Sequence, residues 1–291
     1  MKKIAIIGAG NVGRVIGYAL AKKGYHITGI VCRTAVSGEK AAGLLECPVY
    51  SQPEQACKEA EIIFLTTPDR VIKDVCEHIA AKAGFCDGQV VLHTSGAYSS
   101  KILSSASREG ARVISFHPLQ SFAAMDESLR SLPGTFFAVE GDERCYPLAR
   151  ELVQALEGEL FIISTEMKEL YHAAACLASN YFVSLIDMAL RCFKVMDVPE
   201  EKALSGLMPL VSGTLSNIAR LGPAKALTGP IARGDLITLS THIDKMEALT
   251  PELVPLYKQI GLYTAGLAVR KGTIDKSIEK EMKTLLQGGG Y

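Results

Sequence analysis

This sequence lacks net charge, long apolar runs and paired cysteine motifs. Its 31 Lys and Arg residues balance 31 Asp and Glu residues, and no basic stretch stands out. We therefore expect neither nucleic acid nor an anionic membrane as a partner. No run approaches the ~20 apolar residues of a membrane helix. Met1–Lys3 followed by Ile4–Ile7 is too short for a signal peptide and is better explained as a strand.

Eight cysteines are scattered along the 291 residues without a C-x-x-C pair. In a chain of this length without a secretion signal, this usage predicts reduced thiols in a cytoplasmic protein. The cysteine spacing does not support a zinc site, and we expect no metal. The length suits two domains with cores of useful size.

The most informative pattern lies at the start of the chain. Ile4–Ile7 is a short apolar run with β-branched residues, typical of a strand buried on both faces of a parallel sheet. It leads directly into a complete G-x-G-x-x-G, and apolar residues then recur at helical spacing. A G-x-G-x-x-G that ends a strand and opens a helix is the dinucleotide-binding arrangement, in which the helix start holds the pyrophosphate. A glycine-rich turn without a ligand is the alternative. The predicted cofactor-binding residues of this loop are Gly8, Ala9, Gly10, Asn11, Val12 and Gly13.

The end of the second predicted strand, His26–Cys32, bears on the choice of cofactor. A domain that prefers NAD commonly carries Asp or Glu here to accept from the ribose hydroxyls. This chain has Arg33 and Thr34 instead. A guanidinium can clamp a 2′-phosphate, which a carboxylate would repel. The pair favours NADP over NAD, although Arg33 could also be an ordinary solvated charge.

Strands continue to alternate with helices until about residue 163. The further predicted strands are Ile62–Leu65, Val90–His93, Val113–Phe116, Thr135–Val139 and Leu160–Ile163. This alternation predicts right-handed parallel crossovers, and so an α/β fold with a doubly wound parallel sheet. Ligands of such sheets bind beyond the carboxyl ends of the strands. The candidate cofactor residues at these ends are Thr66, Thr67, Pro68, Ser95, Gly96 and His117. We expect His93 to be satisfied by the backbone, and for His117 the same structural reading stays open.

The pattern changes after Ser164. Almost all of 166–287 is helical in composition and spacing, and the strongest strand signal, Leu236–Leu239, is equally compatible with a helix. The sequence predicts a dinucleotide-binding Rossmann domain over residues 1–164 and an all-helical domain over residues 165–291, with no long linker. We expect the tail Gly288–Tyr291 to be disordered.

The first long helix of the second domain, Glu166–Tyr181, carries candidate catalytic residues. At ~100° per residue, Lys168, His172 and Ser179 lie on one narrow stripe, with Asn180 on its flank. Such a stripe suits a helix that lines a cleft, and a hydride-transfer site needs a proton donor beside the nicotinamide. The alternative interpretation is a solvated first-turn lysine and a packed core histidine.

A further turn, Thr228–Asp235, holds two glycines, a proline and two opposite charges within eight residues. Arg233 could hold a substrate carboxylate through two bonds, with Asp235 orienting either Arg233 or Lys168. Alternatively, Arg233 and Asp235 form a structural ion pair in an interhelical turn. The residues themselves leave both interpretations open.

Four motifs occur together in this order: Gly8–Gly13, His93–Ala97, Phe116–Phe122 and Thr228–Asp235. In this combination nearly the whole chain resembles bacterial proteins that join a Rossmann-like domain to a helical C-terminal domain long labelled as of unknown function. The wider relatives that this implies are ketopantoate reductase, pyrroline-5-carboxylate reductase and the 6-phosphogluconate dehydrogenase group. The resemblance implies a helical domain that supplies substrate-binding groups and forms a homodimer.

Ketopantoate reductase is the closest functional analogue. Its catalytic lysine opens the first helix after the cofactor domain, where Lys168 stands here, and His172 takes the place of its asparagine. The family's later arginine-threonine-glutamate segment has no clean counterpart in this chain. The resemblance implies an NADP-dependent oxidoreductase that reduces a small 2-oxo acid such as ketopantoate. In this hypothesis Lys168 is the proton donor, Arg233 binds the carboxylate, and His172, Ser179 and Asn180 hold the substrate oxygens.

Two other functions remain open at this point. One is an imine reductase of the pyrroline-carboxylate type, whose substrate depends less on Lys168. The other is a non-catalytic dinucleotide-binding regulatory protein, in which His172 and Arg233 are structural. The sequence also leaves room for a deazaflavin in place of the nicotinamide.

Overall fold

The computed structural model describes residues 1–288 of the chain. The chain folds into two compact units, residues 1–178 and the residues from Ser179 onwards. By packing, the first unit extends beyond the boundary that composition places at residue 164. Most of the tail for which we expect disorder, residues 289–291, lies outside the described residues.

The first unit contains one sheet of eight strands: β1 (Lys3–Ile7), β2 (His26–Val31), β3 (Val49–Tyr50), β4 (Ile62–Leu65), β5 (Val90–His93), β6 (Arg112–Pro118), β7 (Phe136–Gly141) and β8 (Glu159–Ile162). The strand order is β3-β2-β1-β4-β5-β6-β7-β8. The first six follow the order of doubly wound dinucleotide-binding sheets. The predicted α/β class is therefore confirmed.

One strand pair departs from the predicted parallel sheet. β6 and β7 are antiparallel, whereas every other neighbouring pair is parallel. A buried apolar run does not encode its direction, and antiparallel neighbours need no crossover helix between them. The edge strand β3 is not predicted at all, because two residues are too short to produce a pattern.

Eight helices accompany the sheet: α1 (Asn11–Lys22), α2 (Ala35–Leu45), α3 (Pro53–Cys57), α4 (Ile72–Ala81), α5 (Ser104–Arg108), α6 (Met125–Ser131), α7 (Tyr146–Ala155) and α8 (Lys168–Ala178). Alternate residues of β1 enter two different apolar clusters. Ile4 and Ile6 belong to one cluster, and Ala5 and Ile7 to the other. Both faces of the sheet are thus covered, which explains why β1 reads as a continuous apolar run.

Up to residue 288, the second unit contains seven α-helices: α9 (Asn180–Val195), α10 (Glu200–Leu221), α11 (Pro223–Ala226), α12 (Pro230–Arg233), α13 (Leu236–Leu249), α14 (Val254–Lys271) and α15 (Lys276–Leu286). The described part of this unit has no strand, and Leu236–Leu239 lies in α13. Its core includes Leu239, Ala265 and Met282. The predicted helical character of this region is confirmed.

Two helices of the second unit leave large apolar side chains uncovered. α9 has no buried residue and α10 has one, Ala203. Val183 and Leu210 are 67% and 68% exposed. Many exposed apolar side chains on two successive helices are characteristic of an interaction site.

The helical stretch Thr165–Val195 is long and apolar enough, by length and composition alone, to cross a membrane, with a mean hydropathy of 1.5 over its best window. The expectation stated above concerns uninterrupted apolar runs and is not contradicted, because this stretch reaches its average with polar residues such as Asn180 and Asp187 inside it. A regular α-helix does not run through it unbroken, because α8 ends at Ala178 and α9 begins at Asn180.

Candidate functional site

The glycine loop packs tightly against the loop that follows β4. Gly8 has a φ of +99°, and a Cβ built on it would lie 2.8 Å from the Thr67 backbone nitrogen. A Cβ on Gly13 would lie 2.5 Å from Thr66 Oγ1, which donates a hydrogen bond of 2.7 Å to the Gly8 carbonyl. A Cβ on Gly10 would meet nothing within 4 Å. Gly8 and Gly13 thus allow close packing of the two loops, whereas Gly10 leaves open space beside the glycine loop.

The start of α1 beside this loop fits the pyrophosphate of a dinucleotide. No side chain caps the helix, so the backbone N–H groups of its first turn can bind an anion. The Thr67 hydroxyl is buried and has no hydrogen-bond partner in the described structure. The Asn11 side chain is already engaged, because its Nδ2 donates to the carbonyls of Phe122 and Ala123 at 2.9 and 3.0 Å.

The residues after β2 offer polar groups at the start of a second helix. Thr34 caps α2, since its Oγ1 accepts from the Ser37 backbone N–H at 3.3 Å. The same hydroxyl donates to Ser37 Oγ at 2.9 Å. Arg33 precedes this cap and is exposed to solvent. A guanidinium beside a helix N-terminus suits a phosphate group.

A turn organised by the hydroxyl of Ser95 follows β5. Ser95 Oγ donates to Asp69 Oδ2 at 2.8 Å and accepts from the Ala97 and Tyr98 backbone N–H groups at 3.1 and 3.2 Å. The Ser95 side chain therefore shapes this turn and ties it to the loop after β4, where Pro68 is exposed. Sequence reasoning predicts Ser95 as a cofactor residue, whereas its hydroxyl has three partners within the protein.

His93 is a structural histidine. Its side chain is fully buried, and its Nδ1 accepts from the Ser95 backbone N–H at 3.1 Å. Burial, helped by the nearby Lys168 charge, lowers the pKa of His93 to about 3, so the ring stays neutral. The expectation that the backbone satisfies this residue therefore holds for Nδ1 alone, because Nε2 is buried without a hydrogen-bond partner in the described structure.

Lys168 is the most unusual ionisable group of the first unit. Its side chain has no exposed surface, and its Nζ donates a hydrogen bond of 2.7 Å to Ser115 Oγ. Burial lowers the pKa of Lys168 to about 8, and the carboxylates of Glu140, Asp69 and Glu169 oppose that shift. The alternative of a solvated first-turn lysine is therefore wrong.

Glu140 is a buried carboxylate that the sequence analysis misses. It accepts from the Ser100 backbone N–H at 2.6 Å, from Ser100 Oγ at 2.9 Å and from Thr165 Oγ1 at 2.8 Å. A carboxylate within the strand of mainly apolar residues 136–141 is the signal that could have identified it, because unpaired buried charges are rare.

Tyr171 and His117 form a hydrogen-bonded pair near the buried lysine. The Tyr171 hydroxyl lies 2.8 Å from His117 Nδ1, and both side chains are partly exposed. Burial, followed by Lys168, His172 and His93, lowers the pKa of His117 to about 3. Burial also raises the pKa of Tyr171 to about 12. Both members of the pair are therefore neutral at physiological pH.

Two imidazole nitrogens converge on Gly96. A Cβ on this glycine would lie 2.5 Å from His172 Nδ1 and 2.8 Å from His117 Nε2. His172 Nδ1 is buried and has no hydrogen-bond partner within the described residues, while its Nε2 lies 3.6 Å from Cys176 Sγ. We call Lys168, Tyr171, His172 and His117 the lysine–histidine cluster. Gly96 contributes by having no side chain, which lets both rings approach the backbone.

Four predicted catalytic residues belong to the second unit. Ser179 precedes the first residue of α9, Asn180, and both are exposed. Arg233 ends α12 and is exposed. Asp235 caps α13 and accepts from the Thr238 backbone N–H at 3.0 Å and from its hydroxyl at 2.6 Å. In the described structure Asp235 and Arg233 form no direct salt bridge within 4.0 Å, and the pKa of Asp235 is lowered mainly by its hydrogen bonds from Thr238, with a smaller effect of the Arg233 charge. The Asp235 carboxylate caps the N-terminus of α13, and it is not observed to orient a catalytic side chain.

Two family models match this chain. Residues 1–118 match the Rossmann-like domain, and residues 135–264 match a domain of unknown function, DUF2520. The chain therefore combines these two domains, as its motifs lead us to expect. No curated protein matches the sequence.

Several solved structures share the fold over most of their length. A protein from Thermotoga maritima is 25% identical, with a TM-score of 0.68 and 98% of each chain covered. A candidate NADP oxidoreductase from Bacteroides fragilis is 22% identical, with a TM-score of 0.70, and the match covers 89% of this chain and 96% of that one. An imine reductase variant from Myxococcus stipitatus, in complex with NAD+, is 15% identical with a TM-score of 0.59, and the match covers 97% of this chain and 99% of that one.

Proposed function

We propose that this protein is an NADPH-dependent reductase of a small 2-oxo acid, with ketopantoate as the first substrate to test. The observation that carries this proposal is the lysine–histidine cluster, in which buried Lys168 lies near the hydrogen-bonded Tyr171–His117 pair in a dinucleotide-binding unit. A purely cofactor-binding domain has no need to keep an ionisable amine out of water, because burying such a group is costly. The same cluster argues against the non-catalytic alternative.

The chain's own groups account for cofactor binding in this proposal. The N–H groups at the start of α1 hold the pyrophosphate, and Gly10 leaves space for it. Arg33 and Thr34 bind the 2′-phosphate and select NADPH over NADH. The reduced nicotinamide, when bound, supplies a hydride. The fold likeness to a candidate NADP oxidoreductase supports this choice of cofactor.

Reduction of a carbonyl leaves an alkoxide that must gain a proton. We assign Lys168 as the acid of the site, as the resemblance to ketopantoate reductase implies. A pKa of about 8 leaves this amine mostly protonated at neutral pH, yet close enough to that pH to give its proton up. Its positive charge also favours the developing negative charge within a buried environment.

Substrate binding is the least constrained part of the proposal. Arg233 has an exposed guanidinium, which suits a carboxylate because it can donate two parallel hydrogen bonds. His172, Ser179 and Asn180 are assigned to the remaining substrate oxygens. These roles remain predictions, which single substitutions can test separately through KM.

Reduction of a cyclic imine is the second candidate function. The likeness to an imine reductase over almost the full length of both chains favours it. An iminium substrate arrives already protonated, so its reduction needs no acid at the substrate nitrogen. The two functions therefore differ in how strongly they depend on Lys168.

We also propose that the protein is a homodimer that covers the apolar surface of α9 and α10. Side chains along both helices are exposed in the single chain, and these include Val183, Leu185, Leu204, Met208, Leu210 and Leu215. A second copy of the same surface is a self-complementary partner. In water, leaving so much apolar area uncovered is unfavourable.

The deciding experiment measures the oxidation of NADPH and of NADH by the purified protein. Ketopantoate and 1-pyrroline-5-carboxylate serve as substrates, and the Lys168→Met variant as the comparison. We expect turnover of ketopantoate with NADPH and its loss in the variant. Turnover of the imine alone, unaffected by Lys168→Met, would establish the second function. Tight NADPH binding without turnover of either substrate would contradict both.

A further inference from the structure

We propose that His117 is the catalytic residue that hands the proton to the substrate oxygen, and that Tyr171 replaces this proton at once. Lys168 then acts on the pair through its charge and does not touch the substrate. This inference rests on the proposed reduction and makes His117, in place of Lys168, the group that gives its proton to the substrate.

Accessibility separates the candidate donors. The Lys168 side chain has no exposed surface, and Ser115 Oγ receives a hydrogen bond from its Nζ. A substrate outside the protein cannot reach this amine without a rearrangement of the surrounding side chains. His117 and Tyr171 are partly exposed, and the Tyr171 ring centroid lies 5.4 Å from Lys168 Nζ. The substrate therefore needs a proton donor other than Lys168.

The hydrogen bond within the pair suggests which imidazole nitrogen carries the proton. With Tyr171 as the donor to His117 Nδ1 at 2.8 Å, the neutral ring bears its hydrogen on Nε2. This nitrogen lies beside Gly96, close to the unpartnered Nδ1 of His172. A substrate oxygen near Gly96 would thus find one N–H donor from His117.

The surroundings of His117 keep this imidazole neutral. Burial disfavours a positive charge on the His117 ring most strongly, and the nearby Lys168 charge adds to this effect. A neutral imidazole is a weaker acid than imidazolium, but it can give up its Nε2 proton while Nδ1 gains another. The phenol of Tyr171 supplies this second proton.

The step balances in atoms and charge. A hydride from the reduced nicotinamide forms a C–H bond at the carbonyl carbon, and the π electrons move to the oxygen. The oxygen takes the Nε2 proton of His117, whose Nδ1 takes the hydroxyl proton of Tyr171. Tyr171 is left as a phenolate, which water later protonates.

Lys168 lies where it can stabilise this phenolate. Its Nζ is 5.4 Å from the centroid of the Tyr171 ring. A positive charge at this distance, shielded from water, offsets the cost of ionising a buried phenol. The effect of Lys168 on turnover therefore passes through Tyr171, which makes the lysine a positioning and electrostatic residue.

Kinetics of three variants test the proposal. We expect His117→Ala to lower kcat by roughly 10²-fold or more, with partial rescue by added imidazole, and Tyr171→Phe to lower it by roughly 10-fold. The dissociation constant of NADPH should change little in either. Tyr25→Phe is the matched control, because it also loses a phenol hydrogen bond, to Glu151 at 2.8 Å, but precedes the amino end of β2.

A spectroscopic measurement tests the same pair without turnover. In ¹⁵N NMR of the histidine-labelled protein, His117 should appear as the neutral ring with its hydrogen on Nε2 at pH 6. In Tyr171→Phe the Nδ1 resonance should shift, since it loses its donor, whereas Tyr25→Phe should leave it unchanged. A hydrogen on Nδ1, or a protonated ring at this pH, would overturn the proposed relay.

The outcomes separate this inference from the proposed function. If the wild-type protein reduces ketopantoate and His117→Ala retains full kcat, the relay is wrong while the function stands. If the wild-type protein reduces no carbonyl, the function and the relay both fall. Loss of turnover in His117→Ala with rescue by imidazole, together with the expected NMR signals, supports the relay.

Discussion

The Nζ of Lys168 lies 2.7 Å from Ser115 Oγ, and neither side chain has any exposed surface. An amine held in this way is satisfied by a neutral hydroxyl and has no salt-bridge partner within 4.0 Å in the described structure. The balancing carboxylate, Glu140, is occupied by three donors of its own. The charge of Lys168 is therefore weakly compensated, and its effects should be visible in both stability and turnover.

Lys168 should make the stability of the protein depend on alkaline pH. Its pKa is about 8 in the folded protein against 10.5 for an ordinary lysine. Between these values the unfolded chain binds more protons than the folded one, so raising the pH stabilises the fold. Relative to Lys168→Met, the free energy of unfolding of the wild type should rise by roughly 3 kcal/mol across this range. Urea denaturation at several pH values measures this rise. The same dependence of the free energy of unfolding on pH in both proteins would contradict the burial of a charged amine.

Arg33 should discriminate between the two nicotinamide cofactors. Arg33→Asp places a carboxylate where the 2′-phosphate of NADPH is expected, and we predict at least a roughly 10-fold weaker binding of NADPH. NADH lacks this phosphate, so its affinity should change little or improve. Isothermal titration calorimetry measures the affinities of the wild type and of the variant for both cofactors. Equal losses for NADPH and NADH would remove Arg33 from phosphate binding.

Substitutions of Gly10 and Gly13 should impair the protein for different reasons. Gly13→Ala forces a methyl group to within 2.5 Å of Thr66 Oγ1, so it should destabilise the fold by about 1–3 kcal/mol. Gly10→Ala meets no protein atom and should fold normally, but its methyl group occupies the space needed by the pyrophosphate. Thermal unfolding and NADPH titration of both variants separate these effects. Normal NADPH affinity in Gly10→Ala would place the pyrophosphate elsewhere.

Gly96 should matter to the chemistry more than to the cofactor. In Gly96→Ala the added methyl group collides with His172 Nδ1 and His117 Nε2, so both rings must move. We expect kcat to fall by roughly 10-fold or more because catalytic groups tolerate little displacement. Gly43→Ala, which meets nothing within 4 Å in α2, is the control. An unchanged kcat in Gly96→Ala would show that the two rings do not define the reaction site.

The apolar surface of α9 and α10 should hold two copies of the chain together. Leu210→Lys places a charge on this surface at a side chain that is 68% exposed in the single chain. Sedimentation velocity should give a dimer for the wild type and a larger monomer fraction for the variant. Lys202→Glu, a change of one exposed charge for another on α10, serves as the control. A monomeric wild type would contradict the proposed homodimer.

Several features of the fold follow from local pattern alone. Ile4–Ile7 and the glycines after it predict a strand, a turn and a helix, and the structure confirms all three. The reason is that the backbone freedom of glycine and the apolar runs of buried strands leave direct traces in sequence. The direction of β7 leaves no such trace, since the same residues pair equally well either way.

The sequence by itself determined the dinucleotide-binding unit, its strand ends and the helical character of almost all of 166–287. It also singled out Lys168 as a proton donor, His172 as a substrate-binding residue and His117 as a cofactor residue. Only the tertiary structure decided that Lys168 is buried, that Tyr171 faces His117, and that Glu140 and Ser115 lie beside them. Burial, pKa and hydrogen bonding depend on which strands and helices meet in space. Contacts of this kind join residues more than 50 positions apart, such as Ser115 and Lys168, and no local periodicity encodes them.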